Sequence, residues 1–317
     1  MPTIRESLMA FRGVHFDNLK IDQSGPAEFC IRAFSGCHIS RDRPCRNGGN
    51  VDSPTMIGSR PVAADTISLV SYFPIPFYGI LPVNAFLLRA AQPVLVDTGL
   101  SSLRDAFMNH LRSTIDLKDL RWLWLTHTDA DHMGNLLPIL AEAPNVRIVT
   151  TFLGMGKMAL QQLPLDRVYL LNPGQELDVG DRKLLCVKPP SFDAPETTGF
   201  VDTRTRVFFS ADCFGALMKD PAEMATDMAP DDLQKGVITW TTIDAPWLAT
   251  ADRSQWIHSM DRVRGLEPSV ILSSHLPPAA GITETLLKHL ASAFTATPFT
   301  GPDQAALEIL MKGSGRG

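Results

Sequence analysis

The chain predicts an α/β fold of mixed sheets covered by helices, and three features carry that expectation. From Ala64 onward, short β-rich apolar runs alternate with segments of helical spacing. Strands followed by helices occur twice along the chain, which suits two similar sheet layers. At 317 residues and 44% hydrophobic content, the chain is long enough to bury a large core around such layers.

The elements follow in order. Residues 83–89 and 93–97 are β-rich runs separated by a short turn and predict a hairpin. Thr98-Gly99 breaks the second run, and Leu103, Phe107 and Leu111 then fall on one face of a helix over 103–111. A buried strand is expected at 123–126, a helix at 133–142 and a strand at 146–150. Later strands are expected at 183–187, 206–210 and 269–273, with helices at 254–263 and 283–293. Residues 1–60 read as a poorly ordered or peripheral extension, because 41–50 has no periodicity and Ser53-Pro54 continues its turn-forming composition. Met56, just before the regular part, is a candidate alternative translation start. Residues 61–317 read as one domain with an insert or lid around 216–254, which carries Met224, Met228, Trp240 and Trp247. Phe73 to Tyr78 reads either as an aromatic flap or as a packed Pro-rich edge.

Composition narrows the function classes. The net charge of −5 gives no reason to expect nucleic acid or an anionic membrane as partner. No apolar run approaches the roughly 18–20 residues that span a bilayer. Met1-Pro2-Thr3-Ile4-Arg5-Glu6 has no basic start before an apolar stretch, so a cytoplasmic location is expected. Cys30, Cys37, Cys45, Cys186 and Cys213 are odd in number, lack a short repeating spacing, and read as free thiols.

The chemistry concentrates in His127-Thr128-Asp129-Ala130-Asp131-His132, directly after the apolar run Trp122-Leu123-Trp124-Leu125. Carboxylates side by side repel and are costly to bury, so two imidazoles and two carboxylates at this density point to a metal site. Further candidates recur where strands end. Asp97 closes the predicted hairpin, Asp193 follows Lys188-Pro189-Pro190, Asp212 ends Val207-Phe208-Phe209-Ser210-Ala211, and His275 ends Val270-Ile271-Leu272-Ser273-Ser274. A lone Asp at a strand end is more often a turn or cap residue, but rigid strands also place side chains for a site.

Asp97-Thr98-Gly99, His127-x-Asp129-x-Asp131-His132, Asp212 after its strand and the late His275 together resemble the metallo-β-lactamase superfamily over about residues 67–280. The resemblance implies a four-layer αβ/βα sandwich, two facing mixed sheets flanked by helices, with two metal ions at one edge. It also implies that Asp97 orients a ligand by hydrogen bonding instead of binding metal. Two positions depart from the superfamily's hydrolase pattern: Asp129 and Asp193 stand where histidines are usual. Asp129, Asp193-Ala194-Pro195-Glu196-Thr197-Thr198 and Phe209 to Gly215 resemble the di-iron domain of flavodiiron proteins, although there too the position of Asp193 is ordinarily histidine. The flavodoxin domain of those proteins is not expected, because the chain ends at residue 317, soon after His275.

The resemblance implies His127, Asp129 and Asp193 on the first metal, Asp131, His132 and His275 on the second, and Asp212 bridging both. Two metal ions per chain are expected. The carboxylate-rich donors favour iron or manganese, with zinc possible. The first functional expectation is a binuclear hydrolase, whose metal-activated water attacks a small ester, phosphoester, thioester or lactone, with Asp131 holding or accepting the proton. The alternative is a di-iron protein that binds or reduces O2 or a similar small oxidant. A non-catalytic binding module with a degenerate metal site is the third reading. Expected partners are a small-molecule substrate, no nucleic acid, no membrane, an external electron donor if the redox reading holds, and a second copy of the chain if it forms a homo-oligomer. No cluster of Arg or Lys stands near the ligand positions in sequence, which argues against a highly anionic substrate.

Overall fold

A computed structural model describes residues 53–314. The expectation for residues 1–52, and the thiols of Cys30, Cys37 and Cys45, lie outside the described residues. Strand β1 (Thr55–Ala63) begins inside the segment expected to be peripheral, and pairs along its length with β2 (Thr66–Ile75).

β1 to β4 form an antiparallel meander, continuing through β3 (Gly79–Leu88) and β4 (Val94–Val96). The chain then crosses over through helix α1 (Arg104–Thr114) to β5 (Trp122–Trp124), parallel to β4. Two short helices, α2 (Ala130–Met133) and α3 (Leu136–Glu142), lead to β6 (Arg147–Thr150), and α4 (Phe152–Leu160) leads to β7 (Val168–Leu170). These seven strands form one sheet in sequential order. The helix expected over 133–142 is thus two pieces, because His132 and Asn135 are tied sideways to Thr98.

The second sheet has the order β13-β12-β11-β10-β9-β8. Its strands are β8 (Glu176–Asp178), β9 (Lys183–Val187), β10 (Gly199–Asp202), β11 (Val207–Phe209), β12 (Val270–Leu272) and β13 (Ala279–Ala280). Only β11 and β12 run parallel, and the chain between them holds α5 (Pro230–Asp244) and α6 (Arg253–Gly265). Helices α7 (Thr283–Ala293) and α8 (Gln304–Ser314) close the chain.

The strand period of two divides most apolar side chains among three large cores, with a fourth small cluster of Val70, Tyr72, Ile80 and Met218. Phe86, Val94, Val96 and Trp124 of the first sheet meet Leu184, Phe200, Phe209 and Leu272 of the second, so the sheets face one another. The alternate residues Leu87, Leu95 and Leu123 pack outward on Phe107 and Leu111 of α1 and Ile139 of α3. On the other side Val201, Phe208 and Ile271 pack against Val237 of α5, Met260 of α6 and Leu287 of α7. The result is the expected four-layer αβ/βα sandwich.

The segment expected as insert or lid belongs to this helical layer. Ala216, Ala225, Leu233, Val237, Ala245 and Leu248 are all buried in its core. Met218 also bridges to Ile80 of β3 through a reciprocal pair of backbone hydrogen bonds of 2.8 and 2.9 Å. Phe73 to Tyr78 forms the tip of the β2–β3 hairpin, where Phe77 is exposed and the Tyr78 ring packs edge-on against Phe299. Among the described residues no helix is long and apolar enough to cross a membrane.

Candidate metal centre

Every sequence-selected residue sits just beyond the C-terminal end of a strand. Asp97 follows β4, the segment from His127 to His132 follows β5, and Asp193 follows β9. Asp212 follows β11 and His275 follows β12. The Asp97-Thr98-Gly99 turn is clamped onto the His127 segment. Thr98 donates from both N–H and hydroxyl to the His132 carbonyl, and Asn135 donates its side-chain N–H to the Thr98 carbonyl at 2.7 Å. Gly134 permits this close approach, because a Cβ there would overlap the backbone of Gly99 and Ser101.

The imidazoles are oriented from behind. His132 Nδ1 lies 2.8 Å from Asp97 Oδ2, while Asp97 Oδ1 accepts from the Thr126 backbone N–H at 2.9 Å and Oδ2 from its hydroxyl at 2.8 Å. His275 Nδ1 lies 2.7 Å from the Pro82 carbonyl of β3. A carbonyl only accepts, so Nδ1 carries a proton, and Nε2 is the ring atom turned to the cluster. Asn84, two residues further along β3, donates to the Ser273 and Leu276 carbonyls and fixes the turn that carries His275.

Asp212 sits at the centre. Its Oδ2 is 3.5 Å from His127 Nε2, and its Oδ1 is 3.1 and 3.3 Å from Nε2 of His132 and His275. Asp131 Oδ2 is 3.4 Å from Nε2 of both His132 and His275, and Asp193 Oδ1 is 3.9 Å from His127 Nε2. The donor atoms of Asp131, His132 and His275 gather within 4.8 Å of one another, as do those of His127, Asp129 and Asp193. All seven residues expected around two metals therefore come together, in two groups with Asp212 between them.

The charges reinforce one another. Burial would raise Asp212, but the imidazoles of His132, His275 and His127 hold it well below the usual carboxylate range. Asp131 is likewise lowered, against burial, by His132 and His275. In return, and again against burial, Asp212 and Asp131 lift His132 well above the usual imidazole value and His275 to about 9. Burial and the neighbouring His132 push His127 down. Asp129 and Asp193 are both raised, first by burial, then by each other for Asp129 and by Asp212 for Asp193.

Residues and metal fit one another on a separate ground. His127 Nε2, His132 Nε2 and Asp212 Oδ1 are buried with no hydrogen-bond partner, the close His132–Asp212 approach lacking the alignment of a hydrogen bond. Buried polar atoms are nearly always paired. Three orphans converging among carboxylates suit divalent cations, and four carboxylates to three imidazoles favour hard ions.

Several further residues shape this centre: Glu196 and Trp240 stand in segments singled out in the sequence without a role at the metals, and Lys157 and Asp244 stand in none of the ligand motifs. Glu196 is buried, bonds Lys157 Nζ at 2.6 Å, and accepts from the Thr128 hydroxyl at 2.9 Å, joining the Asp193 loop to the His127 segment. Lys188 donates to the carbonyls of Ala194, Pro195 and Thr197 and lies 3.7 Å over the Phe192 ring. Burial lowers the Lys188 ammonium to about 8. The sequence shows no cluster of Arg or Lys near the ligand positions, yet the fold brings Lys157 and Lys188 together on the Asp193 loop, which occupies both. Trp240 donates from Nε1 to the Asp212 carbonyl at 3.1 Å, with its ring 4.7 Å from that of His275. Asp244, at the end of α5, lies with Asp193 and Asp212 in a third acidic group. Burial, then Asp212 and Asp193, push its carboxyl well above the usual range. Its one sequence signal is faint: an acidic residue at a helix C-terminus opposes the helix dipole.

Known proteins resemble the chain in sequence and in fold. The chain is 32% identical over 158 residues to a putative diflavin flavoprotein A 1 of Thermosynechococcus vestitus, covering 47% of this chain and 27% of that protein. It is 31% identical over 134 residues to the anaerobic nitric oxide reductase flavorubredoxin of Salmonella typhi, covering 42% of this chain and 28% of that protein. The matched stretch is therefore a minor part of these curated relatives. In fold, the chain is similar to rubredoxin oxygen:oxidoreductase from Desulfovibrio gigas, with a TM-score of 0.66 at 17% identity over 76% of this chain and 62% of that one. It is also similar to the flavodiiron protein from Giardia intestinalis, with a TM-score of 0.64 at 13% identity over 76% and 60% of the two chains. Both resemblances seen in the motifs, to the metallo-β-lactamase superfamily and to the flavodiiron di-iron domain, are thus borne out. Residues 81–275, more than half of the chain and all of the motif series from Asp97 to His275, match one family model, and the protein belongs to the ODP family beta lactamase group.

Proposed function

We propose that the protein is a di-iron oxidoreductase that binds or reduces a small oxidant, O2 or nitric oxide, with electrons from an external donor. The observation that carries this reading is the donor set: four aspartates and three histidines converging on one cluster, its imidazoles and Asp212 buried and its carboxylates at Asp129 and Asp193 open to solvent. Two ferrous ions bound there would supply reducing equivalents and open positions for the oxidant. In this reading His127, Asp129 and Asp193 would hold one ion and Asp131, His132 and His275 the other, with Asp212 available to both. Asp97 and the Pro82 carbonyl hold Nδ1 of His132 and His275, which keeps each Nε2 facing inward. Asp131, the sequence's candidate for proton handling, is fixed between two imidazoles that keep it ionised, so it serves as a ligand and a poor free base. Trp240 walls one side of His275 and keeps water from that face.

The relatives' names support this redox reading over the hydrolase that the sequence ranks first. The test is protein purified without air, assayed for iron, for visible absorption that changes on exposure to O2, and for O2 or nitric oxide consumption with an artificial donor. Roughly two irons per chain, lost in His127→Ala together with oxidant consumption, are expected. Turnover of aryl esters or phosphoesters by zinc- or manganese-loaded protein, with no oxidant consumption by the ferrous form, overturns the reading.

A further inference from the structure

Asp244 lies outside the motif series and is among the most deeply placed acids of the chain, with 5% of its surface exposed. Its Oδ2 is buried without a hydrogen-bond partner. Among the described residues no Lys, Arg or His forms an ion pair with it. A donor atom of Asp244 gathers with one from Asp193 and one from Asp212 within 4.8 Å. An ionised, unpaired carboxylate in such a place is strongly disfavoured unless a cation or a proton neutralises it. Its position at the C-terminus of α5 adds the negative end of the helix dipole to the same spot.

The surrounding segment holds Asp244 in place. One helical turn earlier, Trp240 is bonded to the Asp212 carbonyl and packed on His275. Just after it, Trp247 donates from Nε1 to the Phe192 carbonyl at 2.7 Å, and its ring lies 5.0 Å from that of Phe192, the residue before Asp193. The same stretch of chain thus grips the backbone beside Asp212 and beside Asp193, and brings Asp244 close to both carboxylates. Of the three, only Asp193 is substantially open to solvent.

We propose that Asp244 is an additional ligand of the centre, adding a fourth carboxylate, beside Asp129, Asp193 and Asp212, to the cation that His127 also holds. This inference rests on the reading of the cluster as a two-metal site. It accounts for the loss of the histidine usual at Asp193: an oxygen-only flank built from three aspartates selects a hard divalent ion such as Mn2+ or Fe2+ over Zn2+.

The test is an anaerobic Mn2+ titration, read by the electron paramagnetic resonance signal of free Mn2+, on wild type, Asp244→Asn and Asp244→Ser. Melting of each metal-free protein is recorded alongside. Wild type is expected to take up two Mn2+ per chain, and each variant to bind one of the two at least about tenfold more weakly, as losses around metal sites generally do. The metal-free variants are expected to melt no lower than wild type, since a buried unpaired acid has been removed. Unchanged affinity in the variants overturns the role of Asp244 and leaves the two-metal site standing. No uptake of Mn2+ or Fe2+ by wild type overturns both. Loss of the metal-free fold in both variants makes Asp244 a structural acid and also overturns the proposal.

Discussion

His132 offers its Nε2 lone pair to the cluster only while Nδ1 carries the proton, and Asp97 is the group that holds that proton in place. Asp97 itself occupies a left-handed backbone conformation with φ of 56°, which a short polar side chain tolerates better than most. Its carboxylate is fixed by two donations from Thr126. Asp97→Asn keeps the size but puts an amide opposite His132 Nδ1, so the imidazole loses its preferred tautomer. Metal affinity is expected to fall about 10- to 100-fold with the fold retained, measured by Mn2+ or Fe2+ titration of wild type and variant. Asp97, His127 and the rest of the motif series are legible in the sequence because each follows closely on a strand. Asp244 is not, because it gains its meaning only by meeting Asp212 and Asp193 across the fold.

At the scale of elements, the edge of the sandwich is tied by Arg182 in the β8–β9 turn. Its guanidinium bonds Asp65 of the β1–β2 turn at 2.8 Å, Asp181 at 2.6 Å and the buried Asp202 at the end of β10 at 3.1 Å. The arginine thereby joins one sheet to the other. Arg182→Ala leaves Asp202 with Thr205 and backbone donors but no cation, and is expected to cost roughly 3 kcal/mol, the lower end for breaking a buried pair. The hydrogen bond to Arg182 also holds Asp181 at about 2, below its usual 3.8. A depressed carboxyl stabilises the fold fully above its unfolded value and loses that contribution as pH falls through the folded one. The difference between wild type and variant should therefore narrow between about pH 4 and pH 2, read by urea unfolding of metal-free protein. A difference that stays constant over that range would count against the ion pair as its source. None of this network is readable from spacing, since Asp65, Asp181 and Asp202 stand on three different turns. The strand at Lys183–Val187 and the helix at Thr283–Ala293, by contrast, have the limits their periodicity predicts, because each buries one local apolar face.

For the whole molecule, the centre draws on both sheets at once. Asp97 and His127 extend from the first sheet, and Asp193, Asp212 and His275 from the second. A ligand that binds only the folded form stabilises it by mass action, about 2.7 kcal/mol at one hundred times its dissociation constant. Thermal melts are thus expected to rise on adding Fe2+ or Mn2+ without air and to fall again with a chelator, and a His127→Ala variant should lose the response. The amino-acid sequence alone determined the alternation of strands and helices, the order of the ligand motifs and the exchange of two imidazoles for Asp129 and Asp193. Those features are local: each depends on the period of side chains along one segment or on residues within a few positions of a strand end. The tertiary structure alone decided that Lys157 and Lys188 hold the Asp193 loop and that Asp244 joins the acidic flank. Such contacts are set by how two sheets face and how a helix is pinned across them, and nothing in the spacing of one segment records the distance to another.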